Sequence, residues 1–87
     1  MSNKEILYKI QSIINRISQR DDIIIEESSN IGSIVEVDSI VVVQILVSVE
    51  IEFEIEIPDE YIQIDNILVV ENLINIIQEL INQKSRV

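Results

Sequence analysis

Residues 37–60 read "VDSIVVVQILVSVEIEFEIEIPDE", and two patterns compete in them. From Val49 to Ile57 apolar and acidic residues alternate without a break, the period of a half-buried strand. The valines just before them favour strands as well. Against a strand, the segment has no obvious hairpin partner, and the segments on either side carry helical periodicity. The helix is the better reading, over residues 39 to about 54. Pro58 restricts Ile57 to extended backbone, so the helix ends before it.

Toward the N-terminus, Ile6, Ile10, Ile13, Ile14 and Ile17 fall on one face of a helix over 4–19. Ser2 or Asn3 can cap it, and Glu5 suits its first turn. Residues 20–37 form a long connection that holds the only glycine, Gly32, and a polar cluster from Glu26 to Asn30. Connections of this length are usually functional or partly structured. Ile23 to Ile25, Ile31 and Ile34 are expected to tuck into the core and hold it down. Toward the C-terminus, Asp59 to Asp65 has room for a short helical turn or a loop. "ILVVENLINIIQELIN", residues 67–82, then reads as a helix with Val70, Leu73, Ile74, Ile77, Leu80 and Ile81 on one side. Asp65 or Asn66 is its expected cap. The expected architecture is a single all-α domain spanning 1–87, with three long helices, one short one and a long first loop.

Eighty-seven residues, 47% of them apolar, suffice for one modest core. There is no histidine and no cysteine, which excludes Ser–His and Cys–His nucleophiles as well as disulfides. No apolar run approaches the roughly 18 residues of a membrane span. The N-terminus, "MSNKEILYKIQ", lacks the uninterrupted apolar stretch of a secretory signal, so a cytoplasmic monomer is expected. Net charge is −10 and unevenly placed. The bases Lys4, Lys9, Arg16, Arg20, Lys84 and Arg86 flank an interval, Asp21 to Gln83, that holds every acid except Glu5. Such a field repels nucleic acid and attracts basic partners. The acids Glu50, Glu52, Glu54, Glu56, Asp59 and Glu60 lack the spacing of a specific calcium loop, and a solvated face or a guide for basic partners fits them better. No pair of carboxylates has a supporting pocket for hydrolysis, so the chain does not read as an enzyme.

Projected at about 100° per residue, Val42, Ile45, Leu46, Val49 and Phe53 share one side of the central helix. Ile40, Val43, Val47 and Ile51 lie nearly opposite, with Glu50 and Glu54 beside them. A chain this short cannot bury both sides. The first is expected to be core. The second should form an exposed apolar strip next to Ser39, of the kind that marks partner surfaces, unless the 20–37 connection covers it. With Asp38 as N-cap, Ser39 is the first helical residue, where unpaired backbone N–H groups and the helix dipole favour an anion. Taken alone, Asp-Ser here is an ordinary helix cap.

The downstream residues add a resemblance. The run from Val37 to Glu60 resembles the acyl carrier proteins and their aminoacyl- and peptidyl-carrier relatives. Asp38-Ser39-Ile40 stands at the family's Asp-Ser-Leu signature, Glu50, Glu52 and Phe53 at its acidic-apolar stretch, and Ile57-Pro58-Asp59-Glu60 at its end, with no gap between. Size, acidity and helix order fit along the whole chain. The resemblance implies an acyl-carrier-type four-helix bundle with 4′-phosphopantetheine attached to Ser39. It further implies a non-catalytic carrier of acyl thioesters in fatty-acid, polyketide or related biosynthesis. Asp38 would serve recognition by a phosphopantetheinyl transferase and its magnesium ion. Loading, synthase and transferase enzymes with basic or apolar patches would be the other partners, docking on Ile40, Val43, Val47, Ile51, Glu50 and Glu54. Aminoacyl or peptidyl cargo is the alternative within this class, and an unmodified acidic helical interaction module the alternative outside it. Two positions depart from the family pattern. Glu36 stands where a glycine is common, and Val41 to Val49 holds no acid.

Overall fold

Helix α1, Asn3–Ser18, begins on a capping box: the Ser2 hydroxyl accepts from the Glu5 N–H, and the Glu5 carboxylate reaches back to Ser2. The computed structural model describes residues 1–84, so Arg86 lies outside the described residues. Ile6, Ile10, Ile13 and Ile14 are buried, as their spacing requires, and Ile17 packs partly buried at the end of the row. Gln19 closes the helix in left-handed backbone at φ 56°.

The central run resolves in favour of the helix. Helix α3, Ser39–Phe53, buries Val42, Ile45, Val49 and Phe53, while Leu46 is partly buried. It stops at Glu54, which takes left-handed backbone at φ 54°. Beyond it no regular element forms before Asp59, and burial alternates, with Ile55 half-buried, Glu56 exposed and Ile57 buried. The alternating pattern therefore matches alternating burial, but only past Phe53. Two more helices, each of four residues, flank α3 in sequence: α2, Ile31–Ile34, and α4, Ile64–Ile67. A 3-10 turn covers Asp59–Tyr61, and α5 runs Val70–Lys84. The described chain is all-helical, with three long helices as expected and two short ones where one was expected. The extra one is α2, which interrupts the long first connection.

The last helix starts later than the pattern predicts. Asp65 and Asn66 lie inside α4 and do not cap α5. The first N–H groups of α5 are instead met by distant carbonyls, Val70 donating to Ser29 O at 3.0 Å and Glu71 to Glu27 O at 2.9 Å. Such a cap satisfies donors that would otherwise face no acceptor, and it ties the first connection to the bundle. The other end of that connection is held by α1. The Asn15 side chain donates to Ile23 O at 3.0 Å and accepts from Ile23 N at 2.9 Å, and Gln11 Oε1 accepts from Ile25 N at 3.0 Å. Those bonds hold Ile23 and Ile25 inward, where both are buried, while Ile24 between them is 78% exposed. Of the isoleucines expected to tuck in, Ile24 is the exception; Ile31 is buried and Ile34 half-buried.

α1 packs against both α3 and α5, and α4 against α5. Lys9 of α1 pairs with Glu52 near the end of α3, while Arg20, just past α1, shares a cleft with Val41 near its start. The two helices are therefore antiparallel. The shared core draws on α1, α3 and α5, on Ile23, Ile25 and Ile31 of the first connection, and on Ile57. A Cα radius of gyration of 12.1 Å matches the ~12 Å expected of a folded chain of this length.

Candidate functional site

Asp38 is the N-cap of α3. Its backbone is extended, Oδ1 accepts from Val41 N at 2.9 Å, and its carbonyl accepts from Val42 N at 3.0 Å. Those two bonds hold the first turn of α3 and fix Ser39 as the first helical residue. Ser39 is exposed, and among the described residues nothing hydrogen-bonds its hydroxyl. The N–H groups of Ser39 and Ile40 likewise meet no acceptor among them, which leaves two donors at the positive end of the helix. A phosphodiester on Ser39 would fit here without displacing any contact. Glu36, two residues before Asp38, is exposed, and among the described residues positive φ outside glycine is confined to Gln19 and Glu54. The connection therefore needs no glycine at position 36.

The strip is open. Ile40, Val43, Val47 and Ile51 are 69%, 57%, 47% and 73% exposed, and the 20–37 connection does not cover them. They form a row from beside Ser39 toward the far end of α3. Glu50 and Glu54 lie at that far end, about 17 and 22 Å along the axis from Ser39. They differ in what holds them. Glu50 Oε2 accepts from Ile57 N at 2.8 Å and so braces the segment after α3, whereas Glu54 is exposed. The signature and the two acids thus stand at opposite ends of one helix.

A groove of about 470 Å³ runs beside the strip, between α3 and the last turns of α1. Val43, Gln44, Val47 and Ser48 form its α3 wall, and Arg16, Ile17 and Gln19 its α1 wall. Sequence reasoning missed the α1 wall, because nothing local shows which side of α1 meets α3. The one available signal is negative: no acid occurs from Ile6 to Arg20 or from Ser39 to Val49. The two arginines near the site differ. Arg20 holds Asp22 through two bonds, 2.9 Å from Nε and 3.0 Å from an η nitrogen. Those bonds raise the arginine pKa and lower that of the aspartate. Arg16 is the one base among the described residues whose side chain has no hydrogen bond, ion pair or ring contact. No three acids among the described residues converge on a point that could hold a metal ion.

Comparison with protein-family models, with curated proteins and with solved structures finds no match to this chain. Among the described residues no helix is long and apolar enough to cross a membrane.

Proposed function

We propose that the chain is an acyl carrier protein, a non-catalytic protein that bears acyl groups as thioesters on 4′-phosphopantetheine at Ser39. One observation carries this. An exposed serine hydroxyl with no competing bond stands at the first residue of α3, inside Asp38-Ser39-Ile40 and at ungapped spacing from Ile57-Pro58-Asp59-Glu60. The helical order also suits an acyl-carrier-type bundle, with α1, α3 and α5 as its three long helices and α4 as the short one.

In this reading Ser39 Oγ attacks the phosphorus of coenzyme A that bears the pantetheine. The Oγ–P bond forms as the pyrophosphate bond breaks, adenosine 3′,5′-bisphosphate leaves, and the serine proton passes to a base of the transferase. Asp38 fixes the position of the serine by holding the first turn through Oδ1, and its second carboxylate oxygen would be available to the transferase and its magnesium ion. The group, once attached, supplies the thiol that a cysteine-free chain lacks. The strip supplies an apolar docking surface next to the attachment point.

Intact mass after incubation with a phosphopantetheinyl transferase and coenzyme A tests the proposal. The wild-type chain should gain one phosphopantetheinyl group and Ser39→Ala none, while circular dichroism shows both folded. A wild-type chain that gains no mass would leave the unmodified interaction module as the better reading. A gain that persists in Ser39→Ala would move the site elsewhere.

A further inference from the structure

We infer that the exposed strip of α3 is the contact of a weak two-fold dimer, its occupant a second copy of this chain packed antiparallel. This goes beyond the carrier reading and does not depend on any group at Ser39. The order of residues along the strip carries it. Ile40, Val43, Val47 and Ile51 read Ile-Val-Val-Ile, and the outer and inner pairs share a midpoint to within half a residue. A two-fold axis crossing α3 at that midpoint sets Ile40 of one copy against Ile51 of the other, and Val43 against Val47. That reciprocity is what a contact between identical surfaces requires. The strip spans about 17 Å along the axis, with the smaller valines at the centre, where two crossing helices lie closest.

Charge selects a second copy over a basic partner. Two chains of net charge −10 can meet closely only where neither presents a carboxylate. α3 holds no acid before Glu50, and the groove beside the strip has Arg16 as its one charged lining residue. A basic partner, drawn by the acids elsewhere, gains nothing from this face. Acids do border its ends, Glu36 and Asp38 before the strip and Glu50 and Glu54 toward its close. The same two-fold axis brings those opposite ends together. The contact is therefore apolar in the middle and repulsive at the rim, so salt should promote it.

The area sets the strength. Exposures of 69%, 57%, 47% and 73% leave roughly 450 Å² of the strip open on each copy, the size of patch that marks an interaction site. Two copies would cover roughly 900 Å² through the strip, and Gln44, Ser48 and Arg16 at its edge bring the total to about 1,000–1,200 Å². That is the low end of specific interfaces, which suits a reversible dimer. The monomer expected from the sequence is then the dilute, low-salt state. In the carrier reading, a second copy on the strip and a docking enzyme exclude each other.

Sedimentation equilibrium of the unmodified chain over a range of protein concentrations is the test, at about 0.01 M and about 1 M sodium chloride, where the Debye length is ~30 Å and ~3 Å. A monomer is expected in the first and a concentration-dependent dimer in the second, with a dissociation constant on the order of 0.1–1 mM. Val43→Asp and Val47→Lys, each shown folded by circular dichroism, should each weaken the dimer about tenfold or more by placing an unpaired charge in the contact. Mixed in equal amounts, the two variants should restore it, because the axis sets position 43 of one copy against position 47 of the other. A wild-type chain that stays monomeric in both salts overturns the proposal. So does a dimer that both variants retain, or one that salt dissolves, which would mean contact between acidic and basic surfaces elsewhere. A dimer lost in both variants and not restored by mixing overturns the antiparallel pairing. No group is loaded in these measurements, so their failure leaves Ser39 as attachment site untouched, and a failure of loading leaves the dimer standing.

Discussion

Lys84 reaches from the last turn of α5 to the end of α3, its Nζ 2.7 Å from the carbonyl oxygen of Glu54. α3 has no base in its own last turn and ends on a glutamate held in left-handed backbone. The distant lysine supplies the positive charge that the C-terminal end of the helix dipole favours. Lys84→Met should therefore lower stability by about 0.3–1 kcal/mol, and less in high salt. Glu54→Gly should act in the opposite direction by up to about 1 kcal/mol, since glycine adopts that backbone without a Cβ penalty. Urea midpoints decide both. An unchanged midpoint in Lys84→Met would mean that the contact adds nothing beyond what water supplies.

Asn15 ties the first connection to α1. Its amide side chain makes three bonds, to Gln11 O and to both backbone groups of Ile23, in a half-buried position. Asn15→Leu leaves the Ile23 N–H and C=O without partners near the core. The expected loss is about 1–3 kcal/mol. Amide exchange at Ile23 and Ile25 should accelerate more than exchange along α5. A uniform acceleration would mean that the first connection opens only with the whole domain.

These two contacts mark where the sequence stops being legible. Helix α1 was readable to within one residue at each end, and the buried residues of α1, α3 and α5 follow from apolar periodicity, which is local. The start of α5 was misread by three residues. Its cap is the pair of carbonyls at Glu27 and Ser29, some forty residues upstream, and no local pattern records that. Ile24 was misread because a run of three isoleucines looks uniformly apolar until Asn15 and Gln11 fix its two neighbours inward. The alternation from Val49 to Ile57 was half misleading, helical to Phe53 and matched by alternating burial only after it. At the site, the Asp38 cap and the exposure of the strip were legible, since both depend on spacing within one helix. The groove was not, since it depends on how two helices meet.

Charge predicts a response to salt. The interval Asp21–Gln83 carries fifteen acids and no base, and the two ion pairs among the described residues, Lys9–Glu52 and Arg20–Asp22, are both solvent-exposed. Exposed pairs gain little over their separate hydration, so screening them loses little. Screening the repulsion among the acids should gain more, and Tm should rise with sodium chloride up to physiological strength and beyond. A gain of about 1 kcal/mol corresponds to about 4–8 °C in a domain of this size. A Tm that falls on adding salt would show that the pairs outweigh the repulsion.

The two sides of α3 should respond in opposite order to stability and docking assays. Val47 is 47% exposed and Phe53 is buried against the core, with the Lys9 ammonium 6.0 Å from its ring centroid. Val47→Ser should change stability by no more than about 0.5 kcal/mol, as at other surface sites. Phe53→Ala should cost about 3–5 kcal/mol, because the surrounding isoleucines cannot close the cavity completely. Docking should invert that ranking. Covering Val47 at an interface gains about 25 cal/mol per Å² of apolar area, so its loss should weaken docking by about 1–2 kcal/mol, a factor of roughly 5–30. Phe53→Ala, measured where it is still folded, should dock almost as the wild type does, since its ring faces away from the partner. Because no acid lies on α3 before Glu50, salt should weaken docking less than charge-guided docking would require. Melting curves and transferase loading rates on the two variants check the whole pattern. If Val47→Ser unfolds the protein, the strip is packed against something. If it changes neither stability nor loading by any partner, the strip is surface without a role, and the partner must approach α3 from its ends.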